Sequence, residues 1–299
     1  MSDARRTFRK ASWVNVISNV LKIVVEGALG LYSGSIALMA DAAHSLADLL
    51  ASGVVLIWGQ SVYDDPDDAH PHGHNRFEPL AGLFVGGVLV VLGLLLLYDA
   101  ATALLHGPTA TYSNLLVFGL AFALVDRYGC YWYTRLLNRE VNSASLRALA
   151  ADSLNDIYTT VAALVGVAGM ALGYPILDPI AGGAVSLLVI SMGITVSREN
   201  VQYLSDTAPP AEKQERIKDR ILDHPDVQGV HDFVAYYSGT GIEVEFHAEV
   251  AGTYSVLDAH DIEADLQKQV QDLEAVTDVH VHLDPAGLDE WKNAEIESA

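Results

Sequence analysis

Cysteine is nearly absent. Cys130 is the only one in 299 residues, which excludes a disulfide framework and any cysteine-rich metal site. Basic residues are also scarce, with 17 Lys and Arg against 38 Asp and Glu and a formal net charge of −21. So few cations argue against nucleic acid as a partner, because its phosphates call for Lys and Arg. The hydrolase motifs His-Glu-x-x-His and Gly-x-Ser-x-Gly are missing too. A cleaved leader is not expected. The apolar run after Arg5, Arg6, Arg9 and Lys10 is long enough to span a membrane and lacks a cleavage site.

What is present is apolar surface, and it is unevenly placed. The chain is 51% hydrophobic, and its character changes near Asp206. Residues 1–205 hold 11 basic and 16 acidic residues, whereas 206–299 hold 6 and 22. The first part reads as membrane and the second as a strongly acidic soluble domain, suited to a salty cytoplasm or to attracting cations.

A bilayer core takes roughly 20 apolar residues as helix. Six such runs fall at about 12–32, 35–59, 79–105, 112–137, 144–172 and 176–203. Turn residues separate several of them: Ser33-Gly34, His106-Gly107-Pro108 and Gly173-Tyr174-Pro175. Arg5, Arg6, Arg9, Lys10, Arg76, Arg139 and Arg198 all fall to one side of these spans, and the opposite loops carry no Lys or Arg. Both termini are therefore expected in the cytoplasm, with the protein in the cell membrane among its lipids.

Spans 2 and 5 contain ionisable residues that a bilayer penalises by at least roughly 2.5–3.5 kcal/mol each. His44 and Asp48 are four apart and share a helical face, and Asp152 and Asp156 repeat that spacing. One imidazole and three carboxylates make a four-ligand shell for a divalent cation. The bland alternative is polar residues satisfied by neighbouring helices. Asp41, three residues before His44, is open to three roles: ligand, partner of a ligand, or proton carrier. Lys22 and Glu26, four apart in span 1, are expected to pair with each other. Asp126 and Arg127 in span 4 are expected to be neutralised by neighbours.

The loop after span 2 reads Asp67-Asp68-Ala69-His70-Pro71-His72-Gly73-His74, a second metal candidate or a solvated acidic loop. Beyond Pro209 the pattern becomes helix, strand, strand, helix, strand, with Ser238-Gly239-Thr240-Gly241 as a hairpin turn. That order predicts a small α+β, ferredoxin-like sandwich with helices on one face of an antiparallel sheet. Period-two alternation puts His280, His282 and Asp284 on one side of it, either as metal ligands or as a hydrated face. The expected domains are 1–208 for transport, 209–285 for metal binding in the cytoplasm, and a tail at 286–299.

These residues together resemble the cation diffusion facilitator family, from span 1 to Asp284. The resemblance rests on His44/Asp48 with Asp152/Asp156, and on a loop pattern matched by Asp67, His70, Pro71, Gly73, His74, Arg76 and Glu78. It implies a homodimeric secondary transporter, not an enzyme, that exports Zn2+ or in some branches Mn2+, Fe2+, Co2+ or Cd2+ in exchange for protons. It also implies a metal site in the cytoplasmic domain at His231, His247, His260 and His282 with Asp284, and a pairing of Arg76 with Asp206. His44 is then the expected proton carrier. Zn2+ is the first choice. Three carboxylates to one imidazole lean towards harder ions, which keeps Mn2+ and Fe2+ in view.

Overall fold

A computed structural model describes residues 3–58, 67–71, 73–141 and 144–287; His72 and the chain beyond residue 287 lie outside the described residues. Six long helices come first: α1 (Asp3–Ser33), α2 (Ile36–Trp58), α3 (Phe77–His106), α4 (Asn114–Val141), α5 (Ala144–Ala171) and α6 (Leu177–Leu204). All but α2 are long and apolar enough to cross a membrane. At 23 residues α2 has the length as well, since a helix rises about 1.5 Å per residue.

These helices are built inside out. Large apolar side chains such as Phe84, Phe118 and Val125 face outward, while the buried face of α2 is a row of small residues, Ala37, Ala40, Ala43 and Ala47. Lipid tails are as apolar as leucine, so burying leucine gains little. Close approach of small residues and buried polar contacts hold such helices together. Gly86 on α3 and Gly193 on α6 illustrate this, because a Cβ on either would come within 2.8 Å of the other's carbonyl oxygen. The start of α2 is fixed from a distance. Asp178 on α6 accepts hydrogen bonds from the Ile36 N–H at 2.9 Å and from the Ser35 hydroxyl, capping the orphan donors of α2's first turn. Beside that cap, a Cβ on Gly182 would meet the Ala37 nitrogen at 2.8 Å.

Two compact units divide the chain, one comprising residues 1–57 and 81–198 and the other 58–80 and 199–299. In the second, α7 (Ala211–Leu222), β1 (Gly229–Ser238), β2 (Gly241–Val250), α8 (Val256–Gln271) and β3 (Val276–Pro285) follow the predicted order. The sheet runs β1-β2-β3. β1 and β2 are antiparallel, joined by the two-residue turn Gly239-Thr240 with Gly239 at φ +64°. The expectation of an antiparallel sheet fails at β3, which pairs parallel to β2. The reason is α8: a helix crossing back along the sheet delivers the next strand in the same direction. Ile217 and Ile221 of α7 and Ile262, Leu266 and Val270 of α8 cover Val244, Phe246 and Ala248 of β2, leaving the other sheet face polar.

Candidate metal centres

Alanine-rich sequence makes α2 a strong helix former, and its i, i+4 geometry sets His44 and Asp48 on the face turned to α5. There His44 Nε2 lies 4.0 Å from Asp48 Oδ2 and 3.7 Å from Asp156 Oδ1. His44, Asp48 and Asp156 can each offer a ligand atom with all three within 4.8 Å of one another. His44 Nδ1, Asp48 Oδ2 and both oxygens of Asp156 are buried without a hydrogen-bond partner. Orphaned buried polar atoms are rare because each carries a desolvation cost, and a cation among them would relieve it. Asp152, one turn earlier on α5, is exposed and stands outside this group. The expected four-ligand shell therefore has three members here.

Cations of the protein itself crowd the site, and the sequence pattern gave them too little weight. Arg127 reaches Asp156 Oδ2 at 3.1 Å and also bonds Asn19. Lys22 lies 3.7 Å from Asp156. Its expected pairing with Glu26 is loose at 3.9 Å, and its close partner is Asp41 at 2.8 Å. Lys22 on α1 and Asp41 on α2 meet head to head, whereas an i, i+4 pair on one helix is constrained by its stems. Asp41 also accepts from Thr159 at 2.8 Å, so it is bound to the lysine and not to the three-residue group. Asp126 is bonded by Ser18. The sequence does hold the signal: Asn15, Ser18, Asn19, Lys22 and Glu26 form a polar stripe at helical spacing on α1.

A second group lies in the loop before α3. Asp67 accepts from the His70 and Ala69 backbone N–H groups at 2.6 and 2.9 Å and faces the rings of His70 at 3.2 Å and His74 at 3.5 Å. Those bonds, that of the His70 backbone foremost, hold its carboxyl below the usual range. A cavity of about 570 Å³ opens beside it, lined by His70, Arg76, Tyr236 and Glu243 among others. Arg76 bonds Asp206 at 3.2 Å, the pairing that the family resemblance implied.

The third group is written across three strands. Register pairs His231 with His247 and His247 with His282, so three imidazoles form a row over the polar sheet face. Asp284, two residues along β3, reaches His247 at 2.9 Å and His231 and His282 at 3.2 Å each. Burial opposes ionisation of Asp284, but the His247 hydrogen bond and the three rings outweigh it and lower its pKa. A bulge after His231 turns Asp232, at φ +48°, towards that ring. His260 does not join them: it is exposed on α8 and belongs to no such group among the described residues. His280 pairs with Asp278 instead.

Comparison with known proteins adds the following. Residues 12–205 match the family described as the cation efflux transmembrane domain, and residues 209–286 match the cytoplasmic domain of cation efflux proteins. An uncharacterized transporter of Methanocaldococcus jannaschii is 30% identical over 93% of this chain and 99% of its own length. Metal tolerance protein 2 of Oryza sativa subsp. japonica is 31% identical over 94% of this chain and 78% of its own. The manganese efflux system protein MneS of Bacillus subtilis is 25% identical over 95% and 97%.

Proposed function

The chain belongs to the cation efflux family, the cation diffusion facilitators, which are transporters and not enzymes, and from that premise we propose that it exports a divalent transition-metal ion against protons as a homodimer. Its place is the cell membrane with both termini in the cytoplasm. Zn2+ is the first-choice cargo, with Mn2+ and Fe2+ the alternatives; a similar protein is named for manganese efflux.

The observation that supports this reading is the set of buried donor atoms of His44, Asp48 and Asp156 that have no hydrogen-bond partner, in helices of membrane-spanning length. A cation arriving from the acidic cytoplasmic side meets the Asp67, His70 and His74 loop and then the intramembrane donors. Asp152 is the fourth ligand in this reading, and it joins when α5 turns about its axis. Protons replace the cation on His44 and the carboxylates as the helices reopen on the far side. A metal ion on His231, His247, His282 and Asp284 holds the cytoplasmic domains in their assembled form by mass action.

Sealed proteoliposomes offered Zn2+, Mn2+, Fe2+ and Co2+, with and without a pH gradient, provide the test. Flux that vanishes in Asp48→Ala and in Asp156→Ala supports the reading and ranks the metals. Tight binding without flux for any of the four would show a sensor or scaffold instead.

A further inference from the structure

Resting on the reading above, we propose that Lys22 and Arg127 are resident counter-cations of the intramembrane site: each holds a carboxylate that the cargo draws on, and together they set the affinity and charge that the site accepts.

The argument is one of charge at depth. Lys22 and Arg127 are among the largest fully buried side chains of the protein. Around them lie four buried carboxylates: Glu26, Asp41, Asp48 and Asp156. Lys22 stands 2.8 Å from Asp41, 3.7 Å from Asp156 and 3.9 Å from Glu26. Arg127 stands 3.1 Å from Asp156. Two fixed positive charges among these carboxylates offset part of the negative charge that a cargo ion meets. Uncompensated charge in a medium of low dielectric is heavily penalised, so the two fixed cations limit the charge that the site accepts.

Asp156 is the point of exchange. One of its oxygens faces His44 and Lys22 and the other faces Arg127. A cation bound to His44, Asp48 and Asp156 therefore sits among like charges that never leave the protein. Their repulsion weakens binding and helps release, which a carrier needs as much as capture. Three contacts prevent Lys22 and Arg127 from swinging away: Asn19 holds Arg127, and Thr159 and Lys22 both bond the same oxygen of Asp41.

The sign of the mutational effect separates this from simple ion pairing that supports the fold. Uptake of Zn2+ and of Mn2+ into proteoliposomes is measured for Lys22→Met, Asp41→Asn and the double variant, with thermal unfolding of each. Removing the lysine removes its repulsion of the cargo. KM should therefore fall about tenfold or more, with slower turnover because release is slower. Asp41→Asn frees the lysine to oppose the cargo, so KM should rise by a similar factor. The double variant should return close to the wild-type KM. If Lys22→Met fails to fold, Asp41→Asn and the double variant still decide: a KM for Asp41→Asn no higher than the wild type overturns the proposal. A raised KM in both single variants does so too. Absence of flux in the wild type would instead defeat the transport reading itself.

Discussion

In the membrane unit, His44 stands 3.7 Å from Asp156 with both side chains shielded from solvent, whereas on the cytoplasmic sheet three imidazoles surround Asp284 at 2.9–3.2 Å on an open face. The same two residue types are used with opposite degrees of satisfaction. Asp284 has hydrogen-bonded company in the free protein, while Asp156 keeps both oxygens without a hydrogen-bond partner and relies on ionic neighbours. Low dielectric makes each unmet group at depth costly, so the buried donors gain most from a cation. The sheet donors already have partners and lie open to water. Depth, more than ligand identity, sets the two groups apart.

The sharpest test of that division compares Asp156→Ala with Asp284→Ala. Flux should fall by at least about 100-fold in the first, since losing even an outer-shell partner of a metal ligand costs about 10–100-fold, and stay within a few-fold of wild type in the second. Equal losses would erase the distinction. Next in size, His247→Ala should weaken metal-dependent stabilisation of the purified protein by roughly tenfold or more in apparent affinity, read as a rightward shift in the metal concentration that raises Tm, with the KM of transport unchanged. A smaller effect is expected at the α2 cap. Asp178→Ala strands the Ile36 N–H and the Ser35 hydroxyl, at a cost of about 1–3 kcal/mol in denaturant unfolding.

The smallest effect should be visible only in acid. Ser255 donates to Asp258 through its hydroxyl at 2.6 Å and its N–H at 2.9 Å, in the box that starts α8. These bonds, the hydroxyl foremost, lower the carboxyl's pKa in the folded protein. A depressed carboxylate stabilises the fold above its unfolded pKa of about 3.9 and loses that contribution as pH falls through the folded value. The Tm gap between wild type and Asp258→Asn should therefore hold steady from neutral pH down and close below about pH 4. A gap that persisted undiminished at pH 3 would place the effect elsewhere.

Much of this was legible in the sequence because the bilayer makes charges conspicuous. Six apolar runs became six helices, and the spacing of His44 with Asp48 predicted a shared face. What escaped was long-range. Nothing in an i, i+4 pattern tells Lys22 to prefer Asp41, nineteen residues on, to Glu26. Alternation assigned His282 and Asp284 to one face; His231 and His247 were named only through the resemblance, and strand register is what sets them beside those two. Direction was misread at β3 because only the helix before it decides that. His260, which the resemblance alone proposed, is exposed on α8 and joins no such group within the described residues of one chain.

The Asp178 cap has a mechanical corollary. It grips α2 at Ile36, beside the tight approach of Gly182 to Ala37, and twelve residues separate that grip from Asp48. At 1.5 Å per residue this is a lever arm of about 18 Å. A helix pinned at one end and tilted by about 10° sweeps its far end through roughly 3 Å, close to the reach of a hydrogen bond. Swinging about such a pivot, α2 would part Asp48 from Asp156 without unwinding a single turn, and the fulcrum would lie on α6, remote from the ions that it moves.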